Sequence, residues 1–407
     1  MGNTIKSMSK NAAIIFFFSI FTLLSFIVFL TQNLLHPSLI LDGLLIPDVI
    51  SLSNSIDWII RDKIEIASIP YSYVGVVILY ISAWVIHPAL SLIINLIMIF
   101  FCIWLVHDIF VKIGGSSGKL ACLGVLCNPY IYLAVTGPNK EIPLLLITLL
   151  IFYLLLFKIR FWFPVSLILS ITAIFFRDGY GFLLLAMIFF FTVFSKFPRR
   201  LLFFWLLLVS IGAAFFLQLS EFTPALERNL YVADKIVSSI KSAGFTAKSL
   251  EVIDNPFLST AMFYLRILGN TISLSIRPQF FSVNGGLYLL GVAFWFFGIL
   301  IFIGIRACLL VIFSKKDNLP NLLARQKISV LVIFLLIGMS VSLYIQPRYL
   351  MPLLPLSFGI FVTSKIRKQK PIFTSVFLII VIVIIFHFMG FVPPLSQGSD
   401  EVPSFLL

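Results

Sequence analysis

The chain has 407 residues, of which 60% are hydrophobic and only 11% charged, with a mean hydropathy of +1.12. A water-soluble domain is nearer half apolar and a quarter charged, so this composition argues against a soluble globular fold. The net charge of +13 would suit nucleic acid only if its cations shared one surface, and their placement along the chain speaks against that.

Apolar runs of bilayer-spanning length recur from end to end, each bounded by a short polar cluster. In hydrocarbon only helices or closed barrels satisfy every backbone group, and these runs are continuous rather than alternating, which rejects a barrel. The expected fold is therefore all-α, a polytopic helical membrane protein with about 11 transmembrane helices in one integral membrane domain covering residues 1–407. The first run, residues 12–30, follows Lys6 and Lys10 and lacks a small-residue cleavage site, so it reads as a retained first helix.

Lysine and arginine set the orientation. The N-terminus and the segments 112–119, 158–160, 196–200, 314–327 and 365–370 collect most of the basic residues, with Asp317 and, just before 112–119, Asp108 as the only acids on that side. They are read as inside, and the excess positive charge as a topology signal. Residues 32–70 then form a first outside, periplasmic loop. Residues 71–111 hold two runs parted by His87-Pro88, where side alternation allows one net crossing, so either one of the two is re-entrant or interfacial or the segment 112–119 belongs to the other side. Further spans follow at 120–136, 142–157, 163–176, 182–194 and 201–217. A large periplasmic loop at 218–284 leads to the last spans, 285–313, 328–345, 350–363 and 371–389. Within that loop, residues 224–242 favour helix, and residues 261–276 suit an amphipathic helix lying in the interface.

Charges at membrane depth are costly and mark functional candidates. Those at span ends fall on the outside face: Asp48, Lys140-Glu141, Arg177-Asp178 and Arg348. Lys140 and Glu141 open a helix after Gly137-Pro138, where backbone donors and a lysine suit a phosphate oxygen; ordinary capping by Glu141 is the plainer reading. Arg177 can hold a diphosphate with Asp178 orienting it, or the two can simply close a tight turn. Arg348, among Pro347, Pro352 and Pro355, sits where prolines break a span, or it snorkels. Asp48 suits a general base, in competition with Asp42 and Asp57. Four histidines (His36, His87, His107, His387) and four cysteines (Cys102, Cys122, Cys127, Cys308) show no metal-ligand spacing, so no cofactor is expected, with a divalent metal left open.

These residues together resemble a family. The first span with its acid-bearing loop, the segment Gly137-Pro138-Asn139-Lys140-Glu141 after Asn128-Pro129, Arg177 at a span end, and Arg348-Tyr349-Leu350-Met351-Pro352 look like the GT-C superfamily of membrane glycosyltransferases. The layout is also similar to bacterial oligosaccharide-repeat polymerases of the Wzy and EpsG type. The chain departs from the GT-C pattern in lacking an acidic pair in its first loop and a C-terminal soluble domain, which favours the polymerase.

The resemblance implies a polysaccharide polymerase (O-antigen polymerase type) in the bacterial inner membrane, active on the periplasmic face. Its substrates would be polyprenyl-diphosphate-linked sugars; other polysaccharide-assembly membrane proteins are candidate partners, and nucleic acid is not. Lys140, Arg177, Arg348 and Arg277 would bind the lipid phosphate, and a carboxylate among Asp48, Glu141 and Asp178 would serve catalysis. Two alternatives stand beside it: a GT-C transferase adding one sugar from a polyprenyl-phosphate donor, and a flippase or transporter of lipid-linked sugar.

Overall fold

The computed structural model describes residues 8–34, 47–61, 69, 71–194, 199–216, 255–273, 286–314, 322–341, 347–364, 378 and 381. Among them every regular element is helical. The stretch 90–126 and the helix Leu322–Met339 are long and apolar enough to cross a membrane. The chain divides into two compact units, one reaching Val193 and the other starting at Phe194.

In the first unit, α1 (Lys10–Leu34), α2 (Pro47–Ile60) and α3 (Tyr71–Ile86) precede the 25-residue α4 (Leu90–Gly114). α4 starts just after His87-Pro88. It ends at Gly115, whose φ of 61° only glycine adopts without strain and whose N–H bonds the Val111 carbonyl. A 3-10 helix, Gly115–Cys122, then folds back along α4. Gly118 lies so close that a Cβ there would sit 1.9 Å from the Phe110 carbonyl oxygen, and Cys122 Sγ reaches the Ile103 carbonyl at 3.7 Å.

The expected span at 120–136 is not one helix. It comprises the end of the 3-10 turn, α5 (Leu123–Leu126) and α6 (Pro129–Ala134). The break falls at Asn128-Pro129, because proline offers no N–H to continue the helix, and Asn128 instead accepts from Tyr130 N at 3.2 Å to cap α6. α7 (Glu141–Phe157), α8 (Trp162–Ile174) and α9 (Asp178–Phe194) complete this part of the chain.

Two opposite ends of this unit can be recognised by their bonds. At one, Asp108 binds Lys10 and Lys112, each at 2.7 Å, and accepts from the Tyr153 hydroxyl at 2.9 Å, while Lys119 donates to the Met8 carbonyl. At the other lie the start of α4, the start of α7 and the end of α8. From Tyr73 to Tyr80, α3 stays at this second end. Gly75 N bonds Phe175 O at 3.0 Å, Tyr73 lies under Lys140, and the Tyr80 hydroxyl donates to Asn95. Of the two runs in 71–111, α4 therefore joins the two ends, and α3 contacts the second through Tyr73, Gly75 and Tyr80.

α8 is turned inside out by the standard of a soluble helix. Ser166, Ser170 and Ala173 are fully buried, whereas Ile168 is 63% exposed and Ile171 and Phe175 also face outward. The serines bond carbonyls one turn back, Ser166 to Trp162 at 2.7 Å and Ser170 to Ser166 at 3.0 Å, so burial leaves no donor orphaned. Small residues inside let helices approach closely.

The second unit contains α10 (Arg199–Phe216), α11 (Pro256–Ser273), α12 (Gly286–Ile312), α13 (Leu322–Met339) and α14 (Leu353–Thr363). α12, α13 and α14 pack on one another, with Gly304 of α12 against Ser357 of α14 and Gln326 Nε2 donating to Val311 O at 3.3 Å. α11 forms within the large loop expected at 218–284 and meets α10 through Ser210 and Tyr264, 2.9 Å apart. The helix-friendly stretch 224–242 lies outside the described residues.

Candidate functional site

The site is assembled around the first turn of α7. Gly137-Pro138 ends the preceding chain, and Asn139 then caps the helix: its Oδ1 accepts from Ile142 N at 2.9 Å. The same amide donates to the Ala134 and Gly137 carbonyls at 2.8 and 2.9 Å, which uses both hydrogens of its nitrogen. Asn95 of α4, fully buried, does the complementary work. Its Nδ2 donates to Val135 O at 2.9 Å and to Gly137 O at 2.8 Å, and its Oδ1 accepts from Tyr80. One amide from α4 and one from the α6–α7 connection thus satisfy the carbonyls of a loop that would otherwise be too polar to bury.

On this frame stand the charged residues. Lys140 and Glu141 are both buried, at 8% and 7% exposure, and the Lys140 ammonium lies 4.9 Å from the centre of the Tyr73 ring, within cation–π range. Glu141 Oε2 lies 3.3 Å from the Lys140 backbone N–H, which donates to it. Its Oε1 lies 3.4 Å from Arg177 Nη2, a long contact for a charge-assisted bond. Arg177 occupies the short link between α8 and α9, with its N–H on Ala173 O at 2.8 Å and its carbonyl receiving Gly181 N at 3.0 Å.

Of the residues singled out from sequence, the structure brings Lys140, Glu141 and Arg177 together. Asp178 is the first residue of α9, next to Arg177. Asp48 lies in the first turn of α2, and Arg348 lies in a 3-10 turn, Pro347–Leu350, of the second unit; for these three the structure describes the backbone alone. Arg277 and Asp42 lie outside the described residues. Asp57, the remaining candidate base, accepts from the Trp84 indole N–H at 2.7 Å, which ties α2 to α3.

Sequence reasoning does not reach Asn95, Tyr80 or Tyr73. The available signal is Asn95 itself, the one amide side chain in the 25-residue apolar helix α4. Among the described residues, no group of three or more His, Cys, Asp or Glu side chains converges for a metal. Two cations at a buried helix N-terminus, with a carboxylate holding one of them, form an arrangement suited to an anion with bridging oxygens, such as a phosphate ester. No family model matches the chain, and no significant similarity connects it to any curated protein or solved structure.

Proposed function

We propose that the chain is a polytopic membrane glycosyltransferase that joins undecaprenyl-diphosphate-linked oligosaccharide repeats into a surface polysaccharide, acting at the periplasmic face of the bacterial inner membrane. The observation that supports it most is the meeting of Lys140, Glu141 and Arg177 at the α7 N-terminus, at the end of the first unit remote from Lys10, Lys112 and Lys119. By the positive-inside tendency the lysine-rich end faces the cytoplasm, which puts the Lys140 end outside. The inverted surface of α8 supports a hydrocarbon surrounding.

In this reading an acceptor hydroxyl oxygen attacks the anomeric carbon, the bond from that carbon to the diphosphate oxygen breaks, and the electron pair leaves with the diphosphate. Lys140 and Arg177 stabilise the charge that develops there. A carboxylate takes the acceptor proton. Since Glu141 is engaged with Arg177, it orients the guanidinium, and the proton falls to Asp48 or Asp178.

One observation favours the single-sugar alternative: Lys140, Arg177 and Glu141 sum to one positive charge, which matches a lipid monophosphate ester better than a diphosphate. The polymerase reading needs a further cation to balance the diphosphate. Complementation of a deletion strain, read as a polysaccharide gel ladder, separates the readings. Collapse of the ladder to one repeat unit supports the polymerase. A full-length ladder lacking one sugar supports the single-sugar transferase, and loss of even the single-repeat product with lipid-linked units accumulating inside supports a flippase.

A further inference from the structure

The lysine-rich end of the first unit carries more than a topology signal. Lys10 and Lys112 flank Asp108 with 48% and 45% of their side chains exposed, and Lys119 is held nearby on the Met8 carbonyl. α7 reaches this end through Tyr153, which bonds Asp108 and receives Lys112 at 3.0 Å. The turn after α7 adds Lys158 and Arg160, both exposed. Five cations thus lie at the end that holds the Asp108 carboxylate, a sum of +4 among these residues.

Aromatic rings interleave with the cations. Lys10 lies 5.9 Å from the Trp104 ring centre, Lys112 4.5 Å from that of Phe157, Lys158 6.0 Å from that of Trp162, and Arg160 4.9 Å from that of Phe161. Aromatics and long cations in register suit the headgroup level of a bilayer, where the ring sits among acyl chains and the charge reaches phosphate.

The turn from Lys158 to Phe161 has an independent peculiarity. Both residues have positive φ, 44° and 64°, a region that glycine or asparagine enters more easily. The turn keeps a lysine and a phenylalanine there, and it exposes Ile159 and Phe161 at 43% and 63% beside the two cations. Lys158 ends α7 as a left-handed cap, its N–H on Leu154 O at 2.9 Å, which fixes the direction in which the turn presents these side chains.

We infer that Lys10, Lys112, Lys119, Lys158 and Arg160 form a docking surface for the phosphates of anionic glycerophospholipids in the leaflet at this end. The inference rests on the membrane reading and not on glycosyl transfer.

The test uses the purified full-length protein in an uncharged detergent, with bound lipid counted by native mass spectrometry during titration with phosphatidylglycerol or phosphatidylcholine. Phosphatidylglycerol binds preferentially, and Lys158→Gln with Arg160→Gln lowers that preference about fivefold for each cation removed. Lys158→Arg with Arg160→Lys keeps it, and moderate salt weakens it in the unaltered protein. Equal binding of the two lipids overturns the inference, whereas binding of neither overturns the membrane reading along with it. Displacement of phosphatidylglycerol by millimolar inorganic phosphate makes this a free-anion site and also overturns it. So does loss of the preference in Lys140→Gln with Arg177→Gln, which would move lipid selection to the opposite end.

Discussion

Arg177 Nη2 lies 3.4 Å from Glu141 Oε1, joining the link between α8 and α9 to the first turn of α7 across 36 positions of sequence. The pair is mostly buried, with 16% of the arginine side chain and 7% of the glutamate exposed. Such a pair can hold helices together, hold an anion, or do both, and the two roles are separable by experiment.

Arg177→Gln alone leaves the Glu141 charge buried without its guanidinium, and we expect a loss of about 2–4 kcal/mol, the lower part of the range reflecting the arginine's partial exposure. Adding Glu141→Gln removes that charge and restores most of the melting temperature in detergent. Transferase output separates the roles. The double variant stays at least ~100-fold reduced if Arg177 stabilises a leaving phosphate. Recovery of output along with stability would reduce the pair to a helix tie.

Lys140→Met keeps an unbranched side chain of similar length against Tyr73 while deleting the charge. Stability should change by less than about 1.5 kcal/mol, and product formation should fall by about 10²-fold or more. Lys140→Arg preserves the charge and should retain measurable product. A melting temperature that falls in step with activity would assign Lys140 to packing.

Much of this arrangement is legible in sequence because each charged residue interrupts an apolar run. Lys140, Glu141 and Arg177 stand at run boundaries, and hydropathy alone puts them near helix ends. Their mutual distance is not legible, since it depends on how α7 and α8 pack. Asn95 escapes for a different reason: a single amide barely alters the hydropathy of α4, yet its two N–H donors hold the Val135 and Gly137 carbonyls. The run 120–136 misleads because composition measures apolarity and not continuity. Asn128-Pro129 breaks the helix without adding any charge to the run.

Gly118 and Gly179 should respond oppositely to alanine. At Gly118 the added carbon meets the Phe110 carbonyl at 1.9 Å, and backbone cannot swing aside as a side chain can, so a cost of roughly 1–3 kcal/mol or more is expected. At Gly179, within α9, nothing lies within 4 Å of the added carbon, and the melting temperature should hold or rise, by up to about 1 kcal/mol of stability. A mild effect at Gly118 would mean that the 3-10 segment packs less closely on α4 than the structure has it.

Asp108 gathers Lys10 of α1, Lys112 of its own helix and Tyr153 of α7. Both lysines are nearly half exposed, so either alone is screened by solvent and worth little, ~0.2–1 kcal/mol. Asp108→Asn keeps the volume and weakens all three contacts together. Faster amide hydrogen exchange in α1 than in Lys10→Gln is the expected outcome, since the lysine variant leaves Lys112 and Tyr153 in place. Equal exchange in the two variants would leave Asp108 without a joining role.

Asn95→Leu is the most informative single change at the site. It removes the two donors to the Val135 and Gly137 carbonyls and the acceptor for Tyr80, in a position with no access to water. Gly137 O keeps its bond from Asn139 Nδ2, so Val135 O and the Tyr80 hydroxyl are the groups that lose a partner. At about 1–3 kcal/mol each, a total near 2–4 kcal/mol is expected after the leucine gains some apolar contact. Tyr80→Phe deletes one hydroxyl of the same network and should cost about 1 kcal/mol. The two effects should fall short of additive in the double variant, because both remove the Tyr80–Asn95 bond. Additive losses, measured as melting temperatures of the two single and one double variant, would mean that Asn95 and Tyr80 act separately and that the frame under Lys140 is not one network.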